Sequence, residues 1–210
     1  FNMFTATTLY RICITLVGAV SVRGKCWITP NENGRVVIPK GTKTIPPRAF
    51  RACGALNEVF IPPSVLRIGG GGGNIGSGVF YDAVNLKRVF FKKGSGLEGI
   101  GNWAFAGTSS LKVITFPANL KVIGSNAFSG SGLEKIIFEE GSTIEVIGYG
   151  AFRGNGNLKT INIPPGVVIE EFAFENTGCP EDIFTPGVTI VNCRILAETK
   201  GLHGNEIVSS

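Results

Sequence analysis

The chain carries few side chains able to do covalent chemistry. Its one histidine, His203, lies in a polar C-terminal stretch, the setting of a solvated imidazole. The acid pairs Glu139–Glu140 and Glu170–Glu171 are sequence neighbours. Neighbours on an extended chain point to opposite sides, so both pairs read as turn and edge charges. Five cysteines (Cys13, Cys26, Cys53, Cys179, Cys193) form no C-x-x-C pair, and with one histidine they supply no zinc-ligand set. Cys53 reads as a buried spacer, and Cys179 with Cys193 as a candidate C-terminal staple. The odd count leaves one thiol unpaired or bonded to another chain, which fits either redox compartment. Gly71, Gly73 and Gly76 satisfy G-x-G-x-x-G in form. A phosphate cradle of that kind needs a strand before it and a helix after it. No helical periodicity follows here, no Lys-Ser/Thr closes a P-loop, and Ile75-Gly76 belongs to a repeat. No nucleophile, base and electrophile share one pattern, so the chain is not expected to be an enzyme or to hold a metal, cofactor or small-molecule substrate.

The repeat is what positions everything else. An Ile, three further residues, Ala or Val, and then Phe recur six times: Ile45–Phe50, Ile75–Phe80, Ile100–Phe105, Ile123–Phe128, Ile147–Phe152 and Ile169–Phe174. The Phe positions are 30, 25, 23, 24 and 22 residues apart. A period of twenty-odd residues builds a solenoid in which each unit buries its apolar edge against its neighbours. A second pattern, Leu-x-x-Ile/Val-x-Ile/Phe, precedes each later block, as in Leu56-Val59-Ile61, Leu86-Val89-Phe91, Leu111-Ile114-Phe116, Leu133-Ile136-Phe138 and Leu158-Ile161-Ile163. Its last two apolar positions alternate with period two, which predicts a short strand buried on one face. Pro or Gly often follows and turns the chain. Gly follows the Ile at Gly76, Gly101, Gly124 and Gly148. Three residues after each Phe stand Cys53, Ala83, Thr108, Ser131, Asn155 and Thr177, small or polar residues suited to a tight corner. The unit after Leu56 is about seven residues too long. Thirty glycines and eleven prolines, with no long helical periodicity, predict little helix.

If that register holds, one residue of each strand points away from the core: Val37, Phe60, Phe90, Thr115, Ile137 and Asn162. Fully covering a Phe is worth about 1.5–3 kcal/mol, so two adjacent ones on a surface mark either a covering loop or N-terminal segment, or a partner groove. A basic row runs beside them, made of Lys87, Lys112 and Lys159, flanked by Arg88 and Lys135. It is a solvated rim or a surface that attracts an acidic partner or anionic headgroups. The partner-binding residues expected here are Val37, Phe60, Phe90, Ile137, Lys87, Arg88, Lys112, Lys135 and Lys159.

The unit LKVITFPANLKVIGSNAFSGSG (Leu111 to Gly132) resembles the leucine-rich repeat of the BspA type, also called the Treponema pallidum type. The likeness covers residues 35–185, with six units agreeing at several positions each. It implies a right-handed, β-rich leucine-rich-repeat solenoid of about six repeats of 22–25 residues, whose first strands line one parallel sheet. It also implies the family's usual role, recognition or scaffolding without catalysis, with bacterial surface adhesins among its members. The stretch after Cys179 departs from the pattern: it keeps the turn residues but loses the Leu and the Ala-Phe block.

These patterns divide the chain into a hydrophobic N-terminal segment or cap (1–33), the solenoid (34–190) and a C-terminal tail (191–210). The apolar run 9–22 reads as a retained secretory signal, a cap over the open end, or a segment docked on a partner. Charged residues make up 17% of the chain against roughly 25% in average proteins, which suits a subunit covered by partners. The formal charge of +5 is mild and spread along the repeats, so nucleic acid is not an expected partner. Two readings result. One is a protein-interaction or scaffold module using the exposed strand face. The other is a structural accessory subunit of a large, membrane-associated, multisubunit complex. The compartments they imply are the cell surface or secreted space, or an organellar membrane.

Overall fold

In a computed structural model of the chain, residues 26–70, 78–178 and the strand 189–190 are described. The apolar run 9–22, Cys13, the Gly71–Gly76 fingerprint, Cys179, Cys193 and the tail with His203 lie outside them. The described residues form a parallel β-solenoid of about six turns and contain no helix. Each coil contributes a first strand of three or four residues: β1 (Arg35–Val37), β3 (Glu58–Ile61), β5 (Arg88–Phe91), β7 (Val113–Phe116), β9 (Lys135–Phe138) and β11 (Thr160–Asn162). Each then turns into a two-residue second strand: β2 (Thr44–Ile45), β4 (Arg67–Ile68), β6 (Gly99–Ile100), β8 (Val122–Ile123), β10 (Val146–Ile147) and β12 (Val168–Ile169). A last strand, β13 (Thr189–Ile190), pairs antiparallel with β11.

The second strands make one continuous sheet through all six coils. Its register aligns Ile45, Ile68, Ile100, Ile123, Ile147 and Ile169. This corrects the expected repeat in the second coil, where Ile68 and not Ile75 fills the column. Ile68 follows Ile61 by seven residues, as Ile45 follows Ile38 and Ile123 follows Phe116. The turn upstream sets the register, and the surplus residues fall between Ile68 and Val79 as an insertion. Gly69 then stands where Gly101, Gly124 and Gly148 stand elsewhere, each donating its N–H to the Ile carbonyl of the coil before. A Cβ on Gly101 or Gly148 would come within 3.0 or 2.9 Å of a backbone carbonyl oxygen of the preceding coil.

The core is a ladder of rings. Phe50, Phe80, Phe105, Phe128, Phe152 and Phe174 stack with successive centroids 5.1, 4.7, 4.9, 5.4 and 5.3 Å apart. Offset stacking of this kind adds about 0.5–1.5 kcal/mol per pair beyond burial. Trp27 closes the first end, edge-on to Phe50 at 6.3 Å. A disulfide, Cys26–Cys53, holds it there. Cys53 is buried at the corner as expected, but as a half-cystine and not a free thiol.

The first-strand sheet is not continuous. It splits into β1-β3-β5 and β7-β9-β11-β13, with no ladder between β5 and β7. One feature is particular to the break: the Phe116 ring packs towards the C-terminal side, 5.5 Å from Phe128 and 5.1 Å from Phe138. Pro117 offers the third coil no N–H, but proline is not the cause, since Pro62 stands at the same position after β3 and β3 still pairs with β1.

Candidate interaction face

The outward residues of the first strands align as the alternation predicts. Val37, Phe60 and Phe90 are in register on one side of the break, and Thr115 and Ile137 on the other. Phe60 and Phe90 stack with centroids 4.6 Å apart and planes 11° from parallel. Val37 is 63% exposed and Phe90 37%, so no described loop covers the row. Asn162 closes the row with its amide, accepting from Phe138 N at 3.0 Å and donating to Phe138 O at 3.3 Å.

The charged rows are less uniform than the sequence implied. Lys87, Lys112 and Lys159 do occupy one column, but Glu134 stands between the last two and lies 3.6 Å from Lys112 Nζ. Lys135 shares a register position with Val113 and Thr160. Arg88 is committed elsewhere. It pairs with the buried carboxylate of Glu58, which also takes Arg35 Nε at 2.7 Å. This Arg35–Glu58–Arg88 triad spans three consecutive strands in register. Its cations stay half in water, and Arg88 Cζ lies 5.9 Å from the Phe90 ring centre. Sequence reasoning missed Glu58, although charges of alternating sign at one repeat position were a signal for it.

The corners do as a polar column should. Thr108 donates to Phe105 O at 2.7 Å, and Asn155 is buried with both ends of its amide bonded. Among the described residues no group of three His, Cys, Asp or Glu could hold a metal ion. Nor is any helix among them long and apolar enough to cross a membrane.

The BspA type leucine-rich-repeat region matches six times, over residues 25–71 and 73–202. The chain belongs to that family. Among solved structures it is similar to the T. pallidum leucine-rich-repeat protein TpLRR, at 24% identity and a TM-score of 0.56, covering 86% of this chain and 88% of that one. It is also similar to the pneumococcal vaccine antigen PcpA, at 31% identity and a TM-score of 0.48, covering 74% of this chain and 33% of that one. The chain therefore spans about a third of the length of the pneumococcal antigen. A leucine-rich cell surface protein from Faecalibacterium prausnitzii matches at 23% identity and a TM-score of 0.45, over 70% of this chain and 46% of that one. No curated protein matches. Membership in the BspA-type family accounts for the Phe ladder and the Ile column. The Phe60–Phe90 stack and the ion triad involve positions outside the repeat pattern.

Proposed function

We propose that the chain is a non-enzymatic protein-interaction module whose contact surface is the exposed face of the first-strand sheet. One observation carries this reading: the Phe60–Phe90 stack, which sits at the surface with the Arg88 guanidinium beside it. Rings left in water forgo part of the about 1.5–3 kcal/mol that covering each would supply, and a docked partner recovers it. Leucine-rich repeats are in general interaction folds, and a stack of coils offers contacts at little ordering cost. The basic residues Lys87, Lys112, Lys135 and Lys159 favour an acidic partner. The Cys26–Cys53 disulfide supports an oxidising compartment such as the cell surface. The test is crosslinking in the native source followed by binding of the recovered protein. Phe60→Asp and Phe90→Asp should each weaken it at least about tenfold while the chain stays folded; unchanged binding sinks the face.

A second surface favours the other reading, an accessory subunit of a larger, membrane-associated complex. On the second sheet Val122 and Val168 are exposed, and Tyr149 packs edge-on to Phe172 at 5.4 Å with both rings exposed. Apolar clusters on two sheets suit a chain covered on more than one side. Mild-detergent extraction and a native gel decide it. Migration in a large assembly supports this reading, and migration as a free monomer removes it.

A further inference from the structure

The break between β5 and β7 opens a cleft of about 290 Å³ on the proposed contact face. Its walls are Val89, Phe90 and Phe91 on one side and Val113 and Thr115 on the other, with Arg88 and Glu139 also lining it. Val89 and Phe91 are core-facing residues. Their counterparts in the other coils (Val36, Val59, Ile114, Ile136 and Ile161, and Ile38, Ile61, Phe116, Phe138 and Ile163) are all buried, whereas these two are only partly so. On the first-strand side the core is thus open to solvent at the third coil and closed at the other five.

The charge around this opening is one-sided. Residues 86–118 carry five cations (Lys87, Arg88, Lys92, Lys93, Lys112) against one acid, Glu98; Arg88 and Lys112 pair with Glu58 and Glu134, which leaves Lys87, Lys92 and Lys93 against Glu98, a surplus of two. Glu139 holds the Ala118 N–H at 3.3 Å. Ligand pockets usually run about 300–1,000 Å³, so the cleft is small for a free organic ligand and suits one large side chain.

We infer that the β5–β7 cleft is an anchor site, taking one apolar side chain of Leu or Phe size from an acidic segment of a protein partner. This rests on the strand-face reading and makes it specific. The anchor covers Val89 and Phe91 and lies against the Phe90 ring, completing the core where the sheet leaves it open. Acidic residues flanking it lie towards Lys87, Lys92 and Lys93, because Glu139 repels a carboxylate near its own position. An aromatic or aliphatic anchor in a pocket with a charged surround is the usual energetic centre of such an interface.

Two synthetic peptides of about twelve alternating Glu and Ser residues, one with Phe and one with Ser at its centre, test this by fluorescence anisotropy across a salt series. On the wild-type chain the Phe peptide should bind at least about tenfold more tightly than the Ser peptide, the low end of what burying one Phe supplies. Thr115→Trp places an indole over the cleft from an exposed position and should bring the two peptides to equal affinity. Val113→Trp, also at an exposed position, repeats the test independently, and a melting curve shows each variant folded. Equal affinities on wild type, or a gain that survives both Trp variants, overturns the anchor and leaves the acidic-partner face standing. If neither peptide binds in a salt-dependent way, both ideas fall. Binding only to phosphatidylserine-containing vesicles would then assign the basic coils to a lipid surface.

Discussion

Asn155 shows what a corner residue must do in this fold. Its Nδ2 donates to Phe128 O at 2.8 Å and Phe152 O at 2.6 Å, and its Oδ1 accepts from Leu133 N at 2.9 Å and Ser131 Oγ at 3.0 Å. Asn155→Ala would strand buried partners on two coils and should cost about 2–4 kcal/mol, read from a denaturant midpoint. A cost under about 1 kcal/mol would mean that water replaces the amide. Backbone conformation matters as much as polarity. The residue two after each ladder Phe is left-handed in every coil: Ala52, Asp82, Gly107, Gly130, Gly154 and Asn176. Gly130 has φ 61° and open space where a Cβ would go, so Gly130→Ala should cost about 1 kcal/mol from the backbone alone. Gly132, with φ 74°, would place its Cβ 2.3 Å from Ser109 O, so Gly132→Ala should cost about 3 kcal/mol or more. Comparable losses in the two variants would show that the neighbouring coil yields freely. The corner column was legible in the sequence because its residues are small or polar. The left-handed positions were not, since Ala, Asp and Asn share them with Gly.

The strand and the ring ladder depend on each other. Phe128 stacks on Phe105 at 4.9 Å and on Phe152 at 5.4 Å, so Phe128→Ala removes a shared wall from three coils. The expected loss is about 3–5 kcal/mol in thermal or denaturant unfolding; a melting curve matching wild type would contradict the ladder. Period and alternation made the first strands legible, because every coil must repeat them to stack; the second strands, two residues each, show no alternation, and only their Ile column stood out. The second coil misled the reading because its repeat was counted back from Phe80, across an insertion, when the fixed turn after Ile61 sets the position of Ile68. The break after β5 was not legible from any one coil. It arises between coils, at the strand whose Phe116 ring packs on Phe128 and Phe138. It is visible to amide exchange. Arg88 and Lys92 donate to the β3 coil, so by alternation Val89 and Phe91 face β7. Lys112 and Phe116 accept from the β9 coil, so Val113 and Thr115 face β5. Lacking ladder partners, these amides should exchange well ahead of those of Ile114 and Ile136. Equal protection would mean that the break closes in solution.

At the scale of the whole molecule, a solenoid has two ends, and its stability is a chain of neighbour interactions with no central core to share the load. The first end is closed by Trp27 edge-on to Phe50 and pinned by the Cys26–Cys53 disulfide. The sequence held both partners of that bond but no spacing signal joining them. Cys26 comes ahead of the first coil and Cys53 lies at its corner, so only the folded path brings them together. The bond closes a sequence separation of 27, for which loop-closure entropy predicts about 3.5 kcal/mol. Breaking it with Cys26→Ser frees Trp27 and exposes one face of Phe50. Because each coil leans only on the next, the damage should stay near that end. Amides of residues 34–56 should lose protection while those of β9 and β10 keep theirs, and the unfolding transition should broaden as the first coil frays ahead of the rest. Uniform loss of protection along the chain would instead mean that the six coils unfold as one unit. The ring ladder would then transmit stability over its whole length, and an anchor bound at the third coil would stabilise both ends equally.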